Sequence, residues 1–305
     1  KESQSAIVVD LEEKKLGMFL IRKSDGTSLY ATKDLALAEL KLKEYPNADR
    51  SLILVDNRQS FYFKQLFETL RMLELNPVPE FVGYEFVTLK SGAISSREGN
   101  VVTYQDFRNE VISYSTEEVV KRHNGDKWND GKIEHVAWCI AMAGMKFGML
   151  KQDNDKIFTF DLEQSLSFDG DTGPYCQYAA TRLASILRKA GYSASRSTPS
   201  GSPFVMGRED EPLTRSFDHP SEKALALVLA QFPVKVAQAA EELRPSVVAQ
   251  WCIDVAQRVN EFYRDVNVLE SQGDMKEGRL RLVAAARAAL VSGLDLLAIP
   301  VPDEM

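Results

Sequence analysis

Three groups of residues have the types and spacing to do chemistry. The stretch 91–102, SGAISSREGNVV, sets Ser95, Ser96 and Arg97 between Gly92 and Gly99. Hydroxyls and a guanidinium suit a polyphosphate, and glycine lets the backbone move or approach closely. Such a loop would act by electrostatic stabilisation of phosphate charge, without a covalent step. The same composition also fits a solvated hairpin. Tyr30 and Asp34, four residues apart, put a phenol and a carboxylate near one ligand, and a carboxylate there suits a guanidinium by two parallel hydrogen bonds. An acid in a helix's first turn is favourable as well. Asp56, Asn57 and Gln59 follow an apolar strand, where turn residues are also common. The third group is aromatic and basic: Tyr175, Tyr178 and Arg182 at helical spacing, with Asn260, Tyr263 and Arg264 on a later helix. These can stack on bases or pack helices together.

The elements that must position them read as α/β first and all-helical later. Runs 6–11 and 16–22 and a turn at Asp25–Gly26 indicate strands and a hairpin. Thr32 is expected to cap a helix over 33–44. The run 51–55, SLILV, is expected to be a strand covered on both faces; a helix over 60–75 and an extended segment over 81–89 follow. This is the βαβ rhythm of a parallel sheet, in which ligands sit beyond the carboxyl ends of the strands. Helices are expected over 105–122, 132–150 and 175–189, then a long loop over 193–221. Three more follow: 222–243, interrupted near Pro233, 245–266 and 278–299. Val248, Trp251, Val255, Val259 and Phe262 form the core stripe of the second of these.

Composition narrows the classes. The chain has 305 residues, 44% apolar and 27% charged, enough for two domains with their own cores. No apolar run approaches a membrane span. Three cysteines and three histidines, all scattered, make a disulfide framework or a protein-bound metal site unexpected and suit a reducing, cytoplasmic setting. A net charge of −7 argues against wholesale coating of nucleic acid, and from residue 222 onward nine Lys and Arg face twelve Asp and Glu. Contact with nucleic acid is therefore expected to be local and shape-directed.

Five stretches in order, SLYATKDLALAEL, LILVDNRQSFYFKQLF, SSREGNVVTYQDF, FDGDTGPYCQYAATRLASIL and the closing helices with NEFYRDVNVL and LLAIPVPDEM, resemble the C-terminal part of an arginyl-tRNA synthetase, a class I aminoacyl-tRNA synthetase. They span residues 28–305. The resemblance implies the second half of a Rossmann-type nucleotide-binding domain over 1–155, with connecting helices, and an all-α anticodon-binding bundle over 156–305. It implies that Tyr30, Asp34 and Gln59 line the pocket for arginine. It implies that residues 93–97, AISSR, are similar to the KMSKS signature, so that Lys90, Gly92, Ser95, Ser96 and Arg97 hold the phosphates of ATP, which enters as substrate with Mg2+. Ala93 and Ile94 stand where that signature has its first lysine and its methionine. Tyr62 stands where the family commonly has a histidine. Tyr175, Gln177, Tyr178, Arg182, Asn260, Tyr263, Arg264 and the C-terminal Met305 would face tRNA(Arg), and arginine activation is expected to require bound tRNA.

The class I His-x-Gly-His tetrad does not occur in these residues. The abrupt start agrees with a chain that lacks the first catalytic half and is inactive alone. The competing expectation is a non-catalytic fragment or paralogue that binds tRNA or a protein partner. The cysteine enzyme of the same class is disfavoured because its zinc ligands do not cluster here.

Overall fold

Short connections decide the first sheet. The structure, a computed structural model, describes residues 2–3, 5–89, 103–123, 128–192 and 217–305. Strands β1 (Glu2–Ser3), β2 (Ala6–Asp10) and β3 (Met18–Arg22) pair antiparallel in that order. Residues 11–17 between β2 and β3 hold one 3-10 turn, Glu12–Lys14, too few for the crossover that parallel pairing needs. The expected turn at Asp25–Gly26 forms, with Gly26 at φ +83° and Asp25 Oδ1 accepting the Thr27 N–H at 2.8 Å.

Helix α1 (Tyr30–Glu44) begins earlier than expected, and its N-cap, Leu29, has no side-chain acceptor. Thr32 is not the cap; its hydroxyl donates to the Ile21 carbonyl at 2.5 Å and so anchors α1 to β3. Strand β4 (Leu52–Asp56), helix α2 (Ser60–Met72) and strand β5 (Glu80–Tyr84) make the expected parallel βαβ unit, with Leu52 opposite Glu80 and Asp56 opposite Tyr84. The expectation for 51–55 needs correction. Ile53 and Val55 pack on the core of Phe63, Leu66, Phe67 and Leu70, whereas Leu52 and Leu54 are 41% and 66% exposed. β4 and β5 form a two-stranded sheet, and the face carrying Leu52 and Leu54 is exposed. Residues Lys1–Phe86, joined by Asn154–Ile157, form one compact unit.

The second unit comprises Val87–Asp153 and Phe158–Met305. The segment expected to run extended over 81–89 breaks after Tyr84. Its remainder is strand β6 (Val87–Leu89), which pairs parallel with β7 (Phe158–Phe160), a strand the pattern did not predict. Between them lie α3 (Tyr104–Arg122) and α4 (Asp130–Leu150). Then come α5 (Leu162–Ser165), α6 (Gly173–Lys189), α7 (Pro220–Ala230), α8 (Phe232–Glu242), α9 (Ser246–Asp265) and α10 (Gly273–Leu296). Thr103, Asn129 and Thr172 accept backbone N–H groups at the starts of α3, α4 and α6, satisfying donors that a helix leaves free. The stretch Pro220–Glu242 is long and apolar enough to cross a membrane by length and composition, contrary to the reading of the raw run; Leu225 and Val228 within it belong to the bundle core.

That core joins α4, α6, α7, α9 and α10 around Phe147, Leu183, Leu225, Trp251, Val255 and Leu290, and the expected stripe from Val248 to Phe262 is buried along its whole length. Helix α6 approaches α4 so closely that a Cβ at Gly173 would sit 2.5 Å from the Ala143 carbonyl oxygen. Buried Glu222 ties α7 to α10: it accepts the Asp218 and His219 N–H groups at 3.0 Å each and the Arg279 guanidinium at 2.6 Å. Burial raises its pKa, but those hydrogen bonds and the arginine charge outweigh burial and hold it below the usual carboxylate value.

Backbone at Ala143 cannot rotate away, so Gly173→Ala should cost about 1–3 kcal/mol in denaturant unfolding. Replacing Glu222 by Gln should cost roughly 3–5 kcal/mol near pH 7 by stranding Arg279. Because the folded carboxyl titrates below its unfolded value of about 4.3, that loss should shrink as the pH falls through the folded pKa; unfolding curves at both ends of this range test it.

Candidate functional site

Asp34 lies in the second turn of α1, because the helix starts at Tyr30 and not at Lys33. Its charge is therefore beyond the first turn, where the helix dipole is felt most, and a dipole role does not account for it. The carboxylate is half-buried and accepts a 2.5 Å hydrogen bond on Oδ2 from the Tyr62 hydroxyl of α2. Among the described residues no Lys or Arg pairs with it. Other acids of this unit differ: Asp56 is held by Arg58 at 2.9 Å, Glu80 by Arg50 at 2.6 Å, and Glu68 by Lys14 and Arg71.

Tyr30 is 80% exposed one turn before Asp34, and Gln59 is exposed one turn before Tyr62. The α1 pair and the start of α2 are thus joined through Tyr62, a residue that sequence reasoning left without a role. Its position three residues after Gln59 was the available signal. Asp56 and Asn57 serve the turn: Asp56 Oδ1 accepts the Arg58 N–H at 2.8 Å and its pKa is lowered by the Arg58 guanidinium, and Asn57 donates to Glu85 at 3.0 Å. Residue 83 must be glycine for this, since a Cβ there would overlap Asn57 Oδ1 at 1.8 Å.

In the helical unit, α6 and α9 bring four of the sequence-predicted residues together. The Arg182 guanidinium lies 4.3 Å from the Tyr178 ring centroid and 5.0 Å from that of Tyr263. It donates to Asn260 Oδ1 at 2.8 Å and to the Tyr178 hydroxyl at 3.2 Å. No carboxylate among the described residues pairs with it, so a fixed positive charge remains beside an exposed tyrosine, Tyr263. The row continues to two residues that pattern reading missed: Phe168 meets Tyr178 edge-on at 6.3 Å, and Arg122 caps Phe168 at 4.2 Å. The order is cation, ring, ring, cation, ring, with each guanidinium over a ring face and the two adjoining rings edge to face.

The other four predicted contacts lie outside this row. Gln177 is fully buried, donating to the Cys139 carbonyl at 2.9 Å and the Pro300 carbonyl at 2.5 Å; it ties the C-terminal tail to α4 and does not face solvent. Tyr175 packs against the bundle core. Arg264 is exposed and pairs with its neighbour Asp265 at 2.8 Å. Met305 packs on the α3–α4 cluster, and Glu304 beside it is held by Lys132 and Arg188. The phosphate-loop residues Lys90, Gly92, Ser95, Ser96 and Arg97 lie outside the described residues.

A family model described as tRNA synthetases class I (R), catalytic domain, matches residues 1–162, and one described as DALR anticodon binding domain matches residues 176–305. Helices α3 and α4 fall within the catalytic match yet pack with the bundle. The class is therefore a class I aminoacyl-tRNA synthetase with a helical anticodon-binding module. Arginine–tRNA ligases of Bdellovibrio bacteriovorus and Enterococcus faecalis are 34% and 35% identical over 99% and 100% of this chain. The arginyl-tRNA synthetase structure from Thermus thermophilus superposes with a TM-score of 0.82 at 30% identity, covering 99% of this chain and 54% of that one. One from Plasmodium falciparum, at 19% identity and a TM-score of 0.76 over all of this chain and 50% of its own, shares the fold. The chain belongs to the arginyl-tRNA synthetase family, and it spans about half the length of the curated relatives it matches.

Replacing Gln177 by Leu should leave the Pro300 carbonyl without its donor and cost about 1–3 kcal/mol. Thermal unfolding would show the loss, and hydrogen exchange should rise in the tail after Pro300.

Proposed function

We propose that this chain supplies the arginine-binding and tRNA-binding parts of an arginine–tRNA ligase, which activates arginine with ATP and transfers it to tRNA(Arg). One observation carries the reading: the half-buried Asp34 carboxylate is held by a neutral phenol and has no cationic partner among the described residues. A guanidinium can complete it with two parallel hydrogen bonds, and a neutral side chain would leave the charge unpaired. Tyr30 and Gln59 would flank that side chain. Lys90, Ser95, Ser96 and Arg97, with Gly92 leaving room, would hold the phosphates of Mg2+-bound ATP while the arginine carboxylate attacks the α-phosphorus and pyrophosphate departs. A tRNA hydroxyl would then take the arginyl group and AMP would leave.

The row from Tyr178 and Arg182 to Asn260 and Tyr263 supports tRNA contact, because it joins a fixed guanidinium to an exposed π face without a high net positive charge. Arg264 would add a backbone contact at the rim. A non-catalytic tRNA-binding role is the second reading, favoured by the Arg182 guanidinium held between the Tyr178 and Tyr263 rings without a carboxylate partner among the described residues. Pyrophosphate exchange by this chain alone, with arginine, ATP and tRNA present, separates the two.

In a full-length synthetase carrying this chain, Asp34→Asn should raise the KM for arginine by at least about thirtyfold, or about 2 kcal/mol, with the KM for ATP within about twofold. An unchanged arginine KM in pyrophosphate exchange would sink the pocket assignment.

A further inference from the structure

We propose that Tyr62 is a positioning residue of the arginine pocket: its hydroxyl fixes the Asp34 carboxylate in the orientation that meets a guanidinium while leaving the negative charge uncancelled. This rests on the reading of Asp34 as the guanidinium partner. The geometry is built from two helices and a strand. Tyr62 leaves the first turn of α2, and its ring is held edge-on by Phe19 of β3, 5.6 Å away at 64°, and by Phe63, 5.2 Å away at 87°. Phe19 and Phe63 are themselves buried, at 3% and 6% exposure, so the ring cannot swing without disturbing the core. Its hydroxyl donates to Asp34 Oδ2 at 2.5 Å.

An ionised carboxylate has about four lone-pair sites, so a single phenol bond leaves room for two guanidinium N–H groups. The partner's chemistry decides the outcome. A lysine or arginine at this position would cancel the charge that the ligand needs, as Arg58 does for Asp56. An apolar residue would leave Asp34 free among rotamers, and ordering it on binding would weaken affinity. A phenol orients without neutralising. Burial, then the bond to Asp34 and its charge, push the phenol's pKa above its usual value, so it stays a donor throughout the neutral range. A histidine would do the same work when neutral and would compete with the ligand when protonated.

The test uses a full-length synthetase carrying this chain, with Tyr62→Phe, Tyr62→His and Asp34→Asn compared in pyrophosphate exchange with tRNA present. Tyr62→Phe keeps the packed ring, so melting temperature serves as a check that the fold is intact. The expected result is a rise of about tenfold in arginine KM, the effect of about 1.4 kcal/mol, with kcat and the KM for ATP within about twofold. Tyr62→His should recover most of the arginine affinity at alkaline pH and lose it progressively as the pH falls and the imidazole protonates against Asp34, a dependence that neither the parent nor the Phe variant shows. If Asp34→Asn raises the arginine KM and Tyr62→Phe does not, the positioning role is overturned while the pocket stands. If neither substitution changes it, both fall.

Discussion

The helical unit depends on one close approach, the backbone of Gly173 against the Ala143 carbonyl. It lets the first turn of α6 lie directly on α4, with Thr172 capping the helix and Pro174 accepted at its start. From that fixed origin α6 runs through the centre of the bundle. One face sends Cys176, Ala179, Ala180 and Leu183 into the core, and the next edge carries Tyr178 and Arg182 to α9. Gln177, on the opposite flank of the core face, reaches the tail at Pro300. A side chain at residue 173 would lift α6 from α4 and move core, tail and cationic row together, because a close-packed interior does not deform locally.

The two candidate sites share a physical device, a charge held in place by neutral groups. Asp34 is fixed by the Tyr62 hydroxyl; Arg182 is fixed by the Asn260 amide oxygen, the Tyr178 hydroxyl and two ring faces. A salt bridge would also hold either side chain still, but it would cancel the charge. Hydrogen bonds from neutral partners restrict rotamers and leave the net charge intact, so the ordering cost is met before binding. The contrast with Asp56–Arg58 and Glu222–Arg279 is instructive, since those pairs are closed on themselves and hold a turn and a helix junction.

Much of this could be read in the residues. The helix periodicities of α4, α6 and α9 and the buried stripe on α9 follow from spacing of 3.6 and from local chemistry. So did the grouping of Tyr178 and Arg182, one turn apart on a single helix. Local rules misjudged Thr32, because its hydroxyl found the Ile21 carbonyl on a strand eleven residues away, and no cap rule sees that partner. They also misjudged the run at 51–55, whose apolar character says that it can be buried on both faces but not whether anything is there to cover Leu52 and Leu54.

The sequence by itself determined the class of the chain, its order of α/β and helical parts, and the residue types able to bind a guanidinium or stack on a base. Those properties are local, set by side-chain chemistry and by periodicity along one segment. Only the tertiary structure decided which of them stand free. It buried Gln177 between two carbonyls, the farther of them 123 residues along the chain, closed Asp56 onto Arg58, left Asp34 without a cationic partner among the described residues, and set Tyr62 against a carboxylate 28 residues distant. Whether a charge is spent or available depends on what lies within about 3 Å of it, and that distance is a property of the folded chain.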